Sequence, residues 1–318
     1  MRIEPLIPLF LLLTALPAAQ ARAQWQTVSK QEKAIEELLR KKSYGEALKS
    51  LESWKKEKGE QSPEYWIAGA NIWFTMGRES TVAITSLPEG KYNLGEAGKE
   101  SVQIQDVKSG KVVGAITDGP PKIDKAKIRK AIEFLDQAIQ LAPNRVDIYT
   151  GRAHLYRSMD DLKGELGALE SLATEPKAIK GHFETGRGNV LDEPLEDFQV
   201  GMLNSYAREH FEKETEADDK AGLEVAKMLV RLFPKKVQGY NLMGVAANYK
   251  KDWKEGVKWL DQALAVAPED SLVIYNKGYS LEKMGDKAGA KKCFEKILLL
   301  NNDPEYVDLA KEQLEKLK

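Results

Sequence analysis

Between Val237 and Pro304 the chain repeats itself with a period of 34 residues: Tyr240 returns as Ile274, Gly244 as Gly278, and Leu260 as Phe294. Within each copy the apolar residues recur in steps of three and four, which places them along one side of a helix. A period of this length, with small residues at fixed places, specifies a helix-turn-helix unit that buries its apolar face only when a neighbour stacks on it. Such a chain grows as a row of helix pairs.

The pattern resembles the tetratricopeptide repeat. The residues that carry the resemblance are Tyr240, Gly244, Gly256, Leu260, Ala263 and Pro268 in one copy. In the next they are Ile274, Gly278, Gly285, Ala290, Phe294, Ile297 and Asn302. The resemblance implies an all-α fold, a right-handed α-α superhelix whose concave groove takes segments of partner proteins.

In that register the chain holds six repeats, at about 28–61, 63–77 joined to 127–145, 146–179, 203–236, 237–270 and 271–304, with a C-terminal capping helix at 304–318. Ala47, Leu51 and Trp54 continue the columns in the first copy; Trp66, Ala70, Ala131, Leu135 and Ala138 do so in the second. Tyr149, Ala153, Tyr156 and Leu169 serve the third, and Tyr206 with Pro234 the fourth. Two small-residue columns are broken, by Glu165 and by His210.

Two insertions interrupt the array, at 78–126 and 180–202. In the first, Ala131 stands 54 positions after Gly77, where in the last repeat Ala290 stands 5 after Gly285. The run Val102–Val107 alternates apolar with polar residues, Ser109-Gly110 makes a turn, and Val112–Ile116 follows, which reads as a small β-hairpin. Thr81–Thr85 is β-branched, and Gly119-Pro120-Pro121 closes the excursion by forbidding helix. Either the insertion carries function on a projecting loop or it braces its neighbours; the pattern leaves both open. The second insertion, rich in Gly, Pro and acids, reads as a connecting loop.

The N-terminus reads as a signal peptide over residues 1–23: Arg2, an apolar run from Leu6 to Leu16, then the sites Ala19-Gln20-Ala21 and Ala21-Arg22-Ala23. The run is too short to span a membrane, which takes about 20 apolar residues. The expected product is a periplasmic or secreted protein without a membrane span after signal removal; the alternative is an uncleaved anchor.

Function classes narrow from here. With 48 basic against 49 acidic residues, the net charge of -1 gives no bulk attraction to nucleic acid. Gly95–Ser101 is not a phosphate-binding loop, because that motif needs a glycine at Asn93 and a hydroxyl at Glu100. His154, His182 and His210 lack metal-ligand spacing, the acidic runs at 192–197 and 212–219 lack the pattern of a calcium loop, and no nucleophile-base arrangement is recognisable. No catalytic residue, cofactor or metal is therefore expected. Cys293, the single cysteine, excludes an internal disulfide and reads as a small packing residue or else a reactive thiol.

By the resemblance, the first helix of each repeat lines the groove. That selects Asn71, Phe74, Thr150, His154, Arg157, Arg208, Phe211, Asn241, Asn248, Tyr275, Asn276 and Tyr279 as partner-binding candidates. Asparagine can hydrogen-bond a peptide backbone, and aromatics with arginine dominate interface energetics. Each is equally readable as helix surface or as a contact between repeats. The absence of the lysine, asparagine and arginine set that grips a C-terminal carboxylate, with Glu32 and Glu36 in the first repeat, argues against a carboxylate-tail ligand. The expected function is a non-enzymatic interaction scaffold of the cell envelope, with an accessory protein binding a glycan or other small ligand as the alternative. Mass spectrometry of the protein from an exporting host should find an N-terminus at Arg22 or Gln24; an intact Met1 in the membrane fraction would mark the anchored form.

Overall fold

The computed structural model describes residues 29–84, 92–97, 101–106, 108–109, 111–213 and 215–317, and within them thirteen α-helices and four strands. The leader read at 1–23 lies outside these residues. The chain divides into two units, one of residues up to Ala168 together with Glu175–Val190, the other of Leu169–Thr174 together with Leu191 onward.

The first unit contains α1 (Lys30–Arg40), α2 (Tyr44–Lys56), α3 (Pro63–Met76), α4 (Lys125–Leu141), α5 (Val146–Ser158) and the start of α6 (Leu162–Thr174). The second contains the rest of α6 and α7 (Leu195–Phe211), α8 (Glu216–Leu232), α9 (Val237–Tyr249), α10 (Trp253–Val266), α11 (Ser271–Lys283), α12 (Lys287–Leu300) and α13 (Pro304–Lys316). From α1 to α5, and again from α7 to α13, each helix packs on the next. The chain is thus all-α in its main architecture, with a small β insertion.

One turn is used again and again between the two helices of a pair. Lys42, Asp160, Lys251 and Gly285 each take a left-handed conformation there, with φ of 55, 54, 60 and 86°. Behind each, a backbone N–H reaches five residues back: Ser43 to Leu38, Asp161 to Tyr156, Asp252 to Ala247 and Asp286 to Leu281, at 2.8–3.1 Å. These bonds satisfy carbonyls that the helix end leaves open. Asp252 and Asp286 then cap α10 and α12 by accepting the N–H groups of Glu255 and Gly289.

Inside the pairs, the small residues let helices approach until a Cβ would collide. A Cβ on Gly244 would lie 2.6 Å from Leu260 Cγ, and one on Gly278 2.7 Å from Phe294 Cε1. Leu260 and Phe294 are fully buried in return, as are Leu135 and Leu169 from the same column, and Leu51 is nearly so.

The insertion at 78–126 leaves from this turn. α3 ends at Gly77, and the chain enters a four-stranded antiparallel sheet of order β1-β4-β3-β2, comprising β1 (Arg78–Ile84), β2 (Tyr92–Ala97), β3 (Ser101–Asp106) and β4 (Val112–Ile123). It returns at Asp124, whose N–H donates to Gly77 O at 2.8 Å and whose side chain caps α4. The hairpin expected from sequence is the β3–β4 pair; Gly110 and Val107 fall outside the described residues. Two strands beyond it were not expected. β1 pairs along the far half of β4, and β2 pairs with β3. Gly119-Pro120-Pro121 does not end the strand: the register shifts between Glu79↔Lys122 and Thr81↔Gly119, so the prolines, which have no N–H to give, sit in a bulge and β4 continues to Ile123.

Helix reaches into the second insertion read at 180–202, because α7 begins at Leu195, while the stretch before it leaves helix already after Thr174. Glu196 and Asp197 suit the positive end of a helix, and Gln199 donates to the open carbonyls of Leu172 and Ala173 at 2.8 and 3.2 Å. Replacing 78–123 with a short glycine-containing turn is expected to leave cooperative, helical unfolding intact, since Gly77 and Asp124 already touch; loss of the α3 and α4 helices by hydrogen exchange would show instead that the sheet holds them together.

Candidate partner-binding faces

In the second unit, α9 and α11 carry a ladder of small polar side chains one period apart. Asn276 Nδ2 donates to Asn241 Oδ1 at 2.9 Å, and Ser280 Oγ to Asn248 Oδ1 at 2.9 Å. A Cβ on Gly256 would lie 2.2 Å from that same Asn248 Oδ1, so the glycine of α10 makes room for the amide. Each asparagine spends one polar atom on its neighbour. Asn241 Nδ2 and Asn276 Oδ1 keep theirs without another partner among the described residues, and both residues are half-buried.

Tyr279 extends this face. It is 36% exposed, packs edge-on to Trp253 with ring centroids 6.0 Å apart, and carries Lys283 Nζ 5.0 Å from its centre. Tyr275 behaves differently. Its ring lies 5.6 Å from Phe294 and 5.9 Å from Tyr306, and its hydroxyl accepts from Gln313 Nε2 at 3.1 Å, so it ties α11 to α12 and α13. On α7, Arg208 is exposed, whereas Phe211 is half-buried against Gly222 of α8.

In the first unit the candidates turn inward. Asn71 and Phe74 are buried on α3, with Phe74 edge-on to His154 at 6.1 Å and the Arg78 guanidinium 5.8 Å from its ring centre. Thr150 Oγ1 donates back to Asp147 O at 2.8 Å, as a local helix contact. Arg157 reaches Glu165 with Nε and Nη2 at 2.8 and 2.7 Å. Glu165 is 2% exposed, which explains its place in a small-residue column: the carboxylate enters the helix pair because Arg157 accompanies it.

His210 solves the other broken column in the same way. It is buried, with Nδ1 2.9 Å from Asp218 Oδ1. Burial pushes the Asp218 carboxyl up, but hydrogen bonds from Thr215, His210 and Lys213 outweigh it and hold the group down at about 2. Cys293 is half-buried beside Gly278, and burial raises its thiol, which keeps it protonated and poorly nucleophilic. Among the described residues no cluster has the makings of a metal site, and no helix is long and apolar enough to cross a membrane.

Sequence reading missed one charged cluster of the first unit. Arg145 grips Asp147 through Nε and Nη2 at 2.8 and 2.6 Å, and its Nη1 lies 3.6 Å from Glu64. Arg187, from the connector, pairs with Glu32 at the start of α1 and with Glu64 at the start of α3. Burial works against the Arg145 charge, yet Asp147, Glu64 and Glu184 raise its affinity for the proton. Burial also opposes the Glu64 charge, but the Ser62 hydroxyl, Arg187, its own backbone N–H and Arg145 together hold the carboxyl below its ordinary value. Glu32 was partly legible, since Ser29 and Glu32 form a capping box; a partner 155 residues away was not.

Residues 273–304, which are α11 and α12 with their following turn, match the tetratricopeptide repeat family. That one repeat is the extent of the match. No curated protein is similar enough to the chain to count as a match. Similar solved structures include YrrB, described as a TPR protein with an unusual peptide-binding site, at 14% identity over 59% of this chain and 84% of that one, with a TM-score of 0.36. The first TPR of Spaghetti (RPAP3), bound to the HSP90 peptide SRMEEVD, is 16% identical over 37% of this chain and 89% of that one, with a TM-score of 0.33. The APC/C hetero-tetramer Cut9–Hcn1 shows 13% identity over 86% of this chain and 40% of that one, with a TM-score of 0.32.

Removing Arg157 should be costly, because it strands a buried carboxylate. Arg157→Ala is expected to lower unfolding stability by about 3–5 kcal/mol, and adding Glu165→Ala to restore much of that loss, both read by denaturant unfolding.

Proposed function

We propose that the protein is a non-catalytic interaction scaffold, exported from the cytoplasm, whose second unit takes a segment of a partner protein along α9 and α11. The observation that carries this reading is the polar ladder with its exposed aromatic end. Asn241 Nδ2 offers a donor and Asn276 Oδ1 an acceptor on the same helical face, which is what the two sides of a peptide group require. Tyr279, braced by Trp253 and Lys283, adds apolar area and a hydroxyl at little cost in side-chain freedom. Arg208 and Phe211 on α7 and Asn248 on α9 belong to the same proposed set. Tyr275 supports the face from behind.

Export rests on the apolar run and the two A-x-A sites that precede the helical array. The expected partner is accordingly another protein of the envelope or the exterior.

The test separates binding from folding. Mature protein should retain defined proteins from envelope extract, and Tyr279→Ala with Asn276→Ala should weaken that binding by more than about 1 kcal/mol while leaving the thermal midpoint nearly unchanged. Tyr275→Ala should instead lower stability by about 2–4 kcal/mol, since it opens a cavity between α11, α12 and α13. Unaltered capture by the double variant would sink the α9–α11 assignment, and glycan binding without protein capture would replace the scaffold reading.

A further inference from the structure

The connector Glu175–Val190 is built like a bound ligand of its own unit. Lys180 and Gly181, with φ of 53 and 82°, form a tight turn between Ile179 and His182. A second turn follows at Gly186–Asn189, with Gly188 at φ 67° and its N–H on Glu184 Oε2 at 3.0 Å. Between the turns, Glu184 exchanges backbone hydrogen bonds with Asn144 and Val146 at 2.8 and 2.9 Å, laying the segment against the start of α5. Arg187 then reaches the first turns of α1 and α3.

The seat it enters is a guanidinium site. Nη2 meets Glu32 Oε1, and Nε meets Glu64 Oε1 at 3.1 Å. The remaining oxygens are taken locally: Glu32 Oε2 by the Ser29 N–H at 2.9 Å, and Glu64 Oε2 by the Ser62 hydroxyl at 2.6 Å. Glu32 is 2% exposed and has no other cationic partner among the described residues. Arg145, the other arginine nearby, is hydrogen-bonded to Asp147 and stands back from Glu64 Oε1 at 3.6 Å, so it leaves Glu32 to Arg187. Two carboxylates fixed in place therefore need one planar cation, which arginine supplies through two N–H groups at once.

The connector is held in this seat by backbone hydrogen bonds and by the Arg187 ion pairs, with Phe183 half-buried beside them. Of residues 175–190 only Gly186 is buried, and Ile179 and Val190 are exposed at 38 and 56%. Segments with few buried apolar contacts open locally without unfolding the unit around them, and the cost of opening here is chiefly that of uncovering the Glu32 carboxylate.

We propose that the Glu32–Glu64 seat is an arginine-recognition site, occupied in cis by Arg187, and that its partner is a protein segment presenting an arginine that replaces the connector. The occupant follows from charge and shape: an aliphatic or acidic segment would leave the buried Glu32 carboxylate uncompensated. The connector acts as a competitor, lowering apparent affinity by the fraction of molecules in which the seat is open. The site shares no residue with the α9–α11 face, so Tyr279→Ala should leave it unchanged.

The test uses the whole mature chain and a labelled peptide copying Lys180–Val190. The peptide should bind the Arg187→Ala protein about ten-fold or more tighter than wild type, because the internal competitor is weakened. The same peptide with alanine at the arginine should not bind, and Glu32→Gln in the Arg187→Ala protein should abolish binding of the native peptide. Should Arg187→Ala fail to fold, hydrogen exchange of wild type decides the matter. Excess native peptide, and not its alanine form, should then speed exchange in 175–190. Equal affinity for both proteins, binding indifferent to the arginine, or exchange unaffected by peptide would each reduce the connector to a fixed brace and overturn the proposal.

Discussion

The close approach of two helices at a small residue is the constraint on which the rest depends. At Gly244 and Gly278 the facing side chain stands where a Cβ would be, so Leu260 and Phe294 gain full burial by occupying that space. Burying such a side chain contributes about 1.5–3 kcal/mol, and the gain recurs at each pair. The capped turn and the period both follow from keeping this contact in register. A 34-residue unit returns each large residue to the same position against the next helix.

Where the column is broken, the structure keeps the approach and changes the chemistry. Glu165 enters with Arg157, and His210 with Asp218. Each substitution carries its counter-group on the adjoining helix, so a buried polar atom finds a partner in place of solvent. The large insertion obeys the same rule by another route. It departs and returns through the Gly77–Asp124 contact, and α3 and α4 pack against each other on either side of it. The helix pairs thus admit an insertion at a turn, and a buried polar group where its counter-group comes with it.

Charge is distributed with the same economy of partners. The exposed ion pairs along helix surfaces, such as Lys220–Glu216 and Lys316–Glu312, add little in solvent. The Glu32, Glu64, Arg145, Asp147 and Arg187 group is different, since most of its members are withdrawn from water and joined by hydrogen bonds. It binds the connector to the starts of three helices that are far apart in sequence. In the second unit the corresponding helix faces keep neutral amides, the asparagine ladder, in place of charges.

The helical array was written in the sequence because its cause is local and repeated: apolar steps of three and four, and small residues a period apart. The β3–β4 hairpin was legible for the same reason, from alternation around a turn. The partners of β1 and β2 were not, because strand pairing is long-range and proline reads as a terminator unless a bulge is known to hold it. The candidate residues divided on the same line. Their place on first helices came from the period, but whether a side chain there faces outward depends on its neighbours. Arg157 turned in because Glu165 was buried, Tyr275 because α13 covers it, and Phe74 because His154 lies across it. Sequence determined which helices form and how they pair. Tertiary structure decided which polar groups are spent inside and which are left to bind, because each buried charge must find its counter-charge in space, and that partner stands at no fixed distance along the chain.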